Sequence, residues 1–99
     1  MAENVLEAER AGEKIAVEVK SFLDKSIIHT FHEAMGQYLD YRSALEVVEP
    51  ERVVYLAVPT HIFYHDVFQD WFIQKRLREE NAKLIVFDSI TNIIEKWIK

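Results

Sequence analysis

One short apolar run constrains the fold of this chain more than any other feature. Residues Arg52 to Val58 are almost all apolar, are rich in β-branched side chains, and lie between Pro50 and Pro59. Such a run is typical of a strand that is buried on both faces of a sheet. Lys83 to Phe87 repeats the pattern. The two runs predict a sheet whose strands are covered by other elements, as in α/β proteins.

Two helices are predicted on either side of the first buried run. Apolar residues recur at spacings of three and four from Ser26 to Val47, which predicts a long amphipathic helix with Ser26 as its N-cap. The second helix is predicted to start at a cap on Thr60 or Asp66 and to end near Asn81.

The chain begins with a predicted β-hairpin. Val5 to Arg10 and Lys14 to Lys20 are its strands, and Ala11-Gly12 is its turn, because glycine tolerates positive φ. The tail from Asn92 to Ile98 fits a helix or a strand, and its β-branched residues favour the strand. This order of elements predicts one domain over residues 1–99 with a mixed α/β sheet and right-handed strand–helix–strand crossovers.

Composition narrows the class of protein. The 99 residues suffice for one domain, and 49% hydrophobic residues can form a core. The absence of cysteine fits a reducing cytoplasm, which is the expected location. No run approaches the roughly 18 apolar residues of a membrane span, so no membrane association is expected. The net charge of −5 argues against unspecific binding of nucleic acid over the whole surface, but it is compatible with a local basic cleft.

A carboxylate and an ammonium stand two residues apart at the end of the second predicted strand. Side chains alternate along a strand, so Glu18 and Lys20 are predicted to share one face, with Ile15, Val17 and Val19 on the other. One interpretation is a metal and phosphate site, with Glu18 as a ligand of Mg²⁺ and Lys20 steadying a phosphoryl oxygen. The other is a solvated ion pair on a wet strand face. On these residues alone, the solvated pair is favoured.

Other polar groups have simple interpretations. His61 and His65 have a spacing that could hold Zn²⁺ on a helix, and His29 and His32 share a helix, but surface histidines are favoured in both cases. The basic run Lys75 to Arg78 could contact phosphates, although a helix C-terminus also favours positive charge.

Aromatic residues are dense in the second helical region. Most of them are expected to lie in the core, and any that are exposed would indicate an interface with a partner. They are Phe63, Tyr64, Phe68, Trp71 and Phe72.

Several stretches, in this order along the chain, are shared with a known family. They are Lys14–Phe22, Phe31–Tyr38, Tyr41-Arg42, Pro50–Pro59, Phe72–Lys75, Lys83–Phe87 and Trp97-Ile98. The chain resembles the XisH family, the fdxN-element excision controlling factors. More distantly, its Glu-x-Lys hairpin and following helix look like the core of PD-(D/E)XK nucleases.

The resemblance implies a restriction-endonuclease-like fold and a link to site-specific DNA excision in cyanobacteria. It also implies a small XisI-like companion protein, a homo- or hetero-oligomer, and contact with DNA. Glu18 and Lys20 match the catalytic Glu-x-Lys motif, and Gln37 matches the polar position on the following helix. Glu18 is the expected metal ligand, and Mg²⁺ is the expected metal.

The sequence departs from the nuclease pattern at the second acidic ligand. An Asp expected on the first hairpin arm would fall just before Met1, and the first helix and strand of the core are missing. Glu3 and Glu7 lie on that arm. Because such a site needs at least two carboxylates on its metal, the expectation is a degenerate nuclease-like site in an accessory factor. The alternatives are an active Mg-dependent DNA endonuclease and a purely structural interaction module.

Overall fold

A mixed five-stranded sheet forms the centre of the protein. The computed structural model describes the backbone of residues 4–23 and 26–99 and the side chains of residues 11–23 and 26–99. Its elements are β1 (Asn4–Arg10), β2 (Glu13–Val19), α1 (Ile27–Val48), β3 (Val53–Pro59), α2 (Thr60–Phe63), α3 (Trp71–Glu79), β4 (Leu84–Phe87) and β5 (Ile94–Ile98).

The strands lie side by side in chain order, β1-β2-β3-β4-β5. The outer pairs β1–β2 and β4–β5 are antiparallel, whereas β2–β3 and β3–β4 are parallel. Parallel neighbours need a crossover connection, which α1 supplies between β2 and β3, and α2 with α3 supply between β3 and β4. The predicted mixed α/β fold is therefore confirmed.

Most of the predicted elements are confirmed within a few residues. Ala11 and Gly12 form the hairpin turn with φ of 52° and 82°. The hydroxyl of Ser26 caps α1 by accepting a hydrogen bond from the His29 N–H at 3.1 Å. The tail forms strand β5, which pairs with β4.

The predicted second helix is wrong in its first half. The segment forms the short helix α2, then turns, and α3 begins only at Trp71. The cap of α3 is Asp70, whose carboxylate accepts from the Phe72 N–H at 3.1 Å. Between the helices, Gln69 Nε2 donates to the Phe63 carbonyl at 2.6 Å and Phe68 is fully buried. Side-chain bonds to the backbone thus supplement isolated backbone turns here, while Phe68 packs into the core.

The sheet separates two apolar clusters. The larger cluster lies under the helices and contains Phe31, Tyr38, Leu56 and Phe68, together with Ala16 of β2. The smaller one is built from strand residues alone, with Ile15, Tyr55, Ala57 and Ile85 at its centre. No helix in the described ranges 4–23 and 26–99 is long and apolar enough to cross a membrane.

Tyr38 attaches the long helix to the sheet. Its side chain is fully buried, and its hydroxyl donates to the Val54 carbonyl of β3 at 3.2 Å. The same hydroxyl accepts from the Lys83 N–H, just before β4, at 3.1 Å. A single buried oxygen atom therefore connects α1 to β3 and to the residue that precedes β4.

We expect Tyr38→Phe to destabilise the fold by about 1–3 kcal/mol, because it leaves a buried backbone carbonyl and N–H without their partner. Urea unfolding at neutral pH measures the change. Tyr64→Phe is the matched control, since Tyr64 is 60% exposed, and it should leave stability unchanged. Equal stability of the two variants would contradict the role of the Tyr38 hydroxyl.

Candidate functional site

The paired acid and base of β2 face the helices. Glu18 lies opposite Leu56 of β3 and two residues from Ala16, which belongs to the cluster under the helices. Lys20 directly follows β2, and its N–H donates to the Ala57 carbonyl at 3.2 Å, so the pairing with β3 continues to that residue. Glu18 and Lys20 therefore share one face, as the alternation of side chains predicts.

Burial of this pair overturns the solvated interpretation. Glu18 is 0% exposed and Lys20 is 6% exposed. The face that the sequence suggests as wet is the one covered by α1, and Ile15 belongs to the smaller cluster on the opposite face. Buried charges in proteins are normally paired or bound to a metal, so this pair requires a specific explanation.

Lys20 is held by a residue of the long helix. Its Nζ donates to Glu33 Oε1 at 2.6 Å, and the Glu33 side chain remains 45% exposed. This hydrogen bond from the Lys20 ammonium lowers the pKa of Glu33. The ammonium is thereby fixed between the strand end and α1.

The carboxylate of Glu18, unlike that of Glu33, is buried without a described hydrogen bond. Neither of its carboxylate oxygens has a hydrogen-bond partner among the side chains and backbone that the structure describes. Burial raises the pKa of Glu18, and the nearby Lys20 charge only partly offsets that rise. Two carboxyl groups around one lysine thus have pKa values shifted in opposite directions, a pattern common at functional sites.

Gln37, on the same helix as Glu33, also has an oxygen without a described partner. It lies four residues after Glu33, so the two side chains occupy the same face of α1. Its Oε1 is buried and accepts no hydrogen bond within the described part of the chain. Glu33 is the residue that the sequence analysis missed, although its spacing from Gln37 on a predicted helix was a usable signal.

The backbone is strained two residues after Lys20. Phe22 has φ of 58°, in the left-handed region that a bulky residue rarely adopts. Its ring is 4% exposed and packs edge-on against Phe68, with the ring centres 6.1 Å apart. Such a conformation costs on the order of 1–3 kcal/mol and persists only where packing enforces it. The strained residue fixes the direction in which the chain leaves the site.

The remaining candidate groups do not converge on this site. His61 and His65 are exposed, and His65 Nδ1 accepts from the Val67 N–H at 3.1 Å. His29 and His32 lie on the exposed side of α1. In the basic run, Lys75 and Arg76 form ion pairs with Glu79, as expected for charges near a helix end.

Comparison with known protein families assigns the chain to one of them. The sequence profile described as XisH protein matches residues 1–95. This chain belongs to the XisH family. No curated protein matches it.

Two solved structures of similar proteins share its fold. An XisH family protein from Nostoc punctiforme PCC 73102 is 46% identical with a TM-score of 0.90. An fdxN element excision controlling factor protein from Anabaena variabilis is 47% identical with a TM-score of 0.90. In each case the match covers 96% of this chain and 74% of the other chain.

Glu18 and Gln37 carry the type of oxygen atom that a hard cation binds. Both oxygens of Glu18 and Oε1 of Gln37 lack hydrogen-bond donors, and oxygen ligands are those that Mg²⁺ prefers. Among the described side chains, no three His, Cys, Asp or Glu residues converge as a metal-binding group. Glu3 lies outside the described residues, and Glu7 is described only by its backbone pairing with Ala16. Mg²⁺ usually retains several waters and is often bound through one or two carboxylates, so the single described carboxylate of Glu18 is compatible with binding of the ion, although hydrolysis would need a second one.

We expect Glu18→Gln to stabilise the fold by about 1–3 kcal/mol at neutral pH, because it removes a buried charge without hydrogen bonds. The pKa of Glu18 is raised above 4.5, its value in the unfolded chain. The wild type therefore loses stability as the pH rises from 4.5 through the pKa of Glu18 in the folded protein. The gain should therefore be small at about pH 4 and full at about pH 8, measured by urea unfolding at both.

Glu33→Gln is the matched control with the opposite sign. Because the pKa of Glu33 is lowered, its contribution to stability is present above 4.5 and is lost as pH falls through the folded pKa. Glu33→Gln should therefore destabilise the protein at neutral pH and have little effect on its stability in acid. A Glu18→Gln variant that is less stable than the wild type at both pH values would show that Glu18 is satisfied in the fold.

Proposed function

We propose that this chain is a controlling factor in the excision of a DNA element and that it acts through a partner protein. The observation that carries the proposal is its 47% identity, over 96% of its length, to the Anabaena variabilis protein described as an fdxN element excision controlling factor. The TM-score of 0.90 extends this similarity to the arrangement of the elements around Glu18.

The composition of the site favours control over catalysis. Hydrolysis by a nuclease of this type needs at least two carboxylates on the metal. Glu18 is buried and without partners, whereas Glu33 is committed to Lys20. Glu33 therefore leaves Glu18 as the one described carboxylate of this site that is open to a metal, which supports a degenerate nuclease-like site in an accessory factor. The net charge of −5 also favours recruitment by a partner over unaided binding to DNA.

The surface from the end of α2 to the start of α3 is the proposed surface for that partner, a small XisI-like companion. Phe63 and Phe68 are buried there, but Tyr64 is 60% exposed and Trp71 is 70% exposed. Exposed aromatic side chains are enriched at the centres of protein interfaces. Cytoplasmic location is part of this proposal, since excision acts on chromosomal DNA.

A second candidate function, a Mg-dependent DNA endonuclease, is favoured by the unpartnered carboxylate of Glu18. Glu18 and Gln37 would hold the cation, and Lys20, oriented by Glu33, would hold its proton at Nζ against a phosphoryl oxygen. Bound there, the cation would supply stabilisation of negative charge on the phosphate. The burial of Glu18 strengthens this candidate, because removing water increases every electrostatic interaction at the site.

The first test is excision in Anabaena variabilis cells that lack their own controlling factor, measured as the fraction of chromosomes with the element removed. We expect this chain to restore excision and Trp71→Ser to lower it about tenfold, together with co-purification of the companion. Ile90→Ser is the control, because Ile90 is 90% exposed on a different part of the surface. Glu18→Gln should retain excision. Failure of the wild-type chain to restore it would contradict the proposal.

The second test addresses the endonuclease directly. If it is correct, the purified protein binds Mg²⁺ in calorimetry and nicks plasmid DNA, and Glu18→Gln and Lys20→Met each reduce nicking at least about a hundredfold. Glu51→Gln is the control, since it removes an exposed carboxylate whose described ion pair is with Lys14. Absence of both Mg²⁺ binding and nicking would eliminate this second function and leave the controlling role intact.

A further inference from the structure

A cavity of about 420 Å³ lies on the helix-covered face, well away from Glu18. It opens between α3, the start of β4 and the end of β5, whereas Glu18 is on β2 at the far side of β3. Its apolar lining comes from Phe63, Leu77, Leu84 and Ile98. The volume is in the range of cavities that hold one small molecule.

Cations dominate the polar lining of this cavity. Arg78, Lys83 and Lys99 all border it, and no Asp or Glu side chain does. None of the three forms an ion pair with any residue that the structure describes. A fourth cation, Lys96, lies with its Nζ 5.7 Å from the centre of the Phe63 ring and likewise has no carboxylate partner there.

The other described cations behave differently. Every one of them forms an ion pair with a glutamate, and they are Lys14, Lys20, Arg42, Arg52, Lys75 and Arg76. The chain has 17 acidic residues against 12 Lys and Arg, so carboxylates are not scarce. The cations without a partner are thus concentrated around one concave, partly apolar site. Like charges in one place repel one another, and an anion bound among them would offset that repulsion.

We propose that this cavity binds a nucleoside carrying two or three phosphates. The cationic rim of Arg78, Lys83 and Lys99 matches the phosphate chain, and the apolar lining matches the faces of the base. Two side-chain amides are available to recognise the edge of the base. Gln74 uses its Nε2 to donate to the Phe68 carbonyl at 2.9 Å, which leaves its Oε1 as an acceptor, and Asn81 also lines the cavity.

The shape of the site favours a small ligand over duplex DNA. A duplex presents phosphates along a convex surface and is contacted by an extended basic stripe. Here the cations surround a cavity, and the neighbouring Lys75 and Arg76 are neutralised by Glu79. The cavity is independent of the proposed role in excision, because it shares no residue with the exposed Tyr64 and Trp71 or with the Glu18 cluster, which consists of Glu18, Lys20, Glu33 and Gln37.

Calorimetric titration of the full chain with ATP in the presence of EDTA tests the proposal, because the chelator excludes metal-dependent binding at Glu18. We expect saturable one-to-one binding of ATP, with adenosine and inorganic pyrophosphate each at least about tenfold weaker. Arg78→Gln and Lys83→Gln should each weaken ATP binding about tenfold, the effect expected from the loss of one charge-assisted contact.

Two variants serve as controls. Lys14→Gln removes an exposed lysine distant from the cavity and Glu18→Gln alters the other site, and neither should change ATP affinity. Thermal unfolding checks that each variant is folded; the substituted side chains at positions 78 and 83 make no described hydrogen bonds. The proposal is overturned if ATP does not bind, if pyrophosphate binds as tightly as ATP, if only DNA oligonucleotides bind, or if Lys14→Gln weakens binding as much as Arg78→Gln.

Discussion

The parallel pairing of β2 with β3 is the constraint on which the rest of the structure depends. Two parallel neighbours cannot be joined by a tight turn, so the chain must cross the sheet, and α1 makes that crossing. The crossover brings Glu33 over the end of β2, where it meets Lys20. Lys20, directly after β2, and Glu33 on α1 lie 13 positions apart in sequence and meet because α1 crosses over the end of β2.

Two features around Glu18 lower the stability of the fold, and the packing of nearby aromatic rings offsets this loss. A carboxylate without hydrogen bonds at Glu18 and a left-handed φ at Phe22 both oppose folding. On the favourable side, the Phe22 ring packs against Phe68, and the Phe31 ring lies edge-on to Phe68 with centres 5.9 Å apart. Proteins that retain an unfavourable group in a well-packed core commonly do so for function.

The hydrophobic pattern predicted the fold well because the buried residues of this chain recur at regular spacings. Apolar residues three and four apart indicate the buried side of α1, and the continuous apolar runs of β3 and β4 indicate strands covered on both faces. The start of α3 was not predictable in the same way, since Thr60, Asp66 and Asp70 are all capping residues and only tertiary packing of Phe68 selects among them. Alternation on β2 placed Glu18 and Lys20 on one face, but it could not indicate which face the helix covers. Glu33 was missed because its role arises only once α1 lies across β2.

Tyr38 connects the two parts of the helix-covered face. Its hydroxyl bonds to the backbone of Val54 and of Lys83, and Lys83 is one of the residues that line the cavity between α3, β4 and β5. The same helix carries Glu33 and Gln37 at the Glu18 cluster. A displacement of α1 along the sheet must therefore break the hydrogen bonds of a fully buried hydroxyl as well as the Lys20–Glu33 pair. Because buried polar groups are costly to leave unpaired, α1 is held in one position, and the Glu18 cluster and the cavity keep a fixed relation across β3.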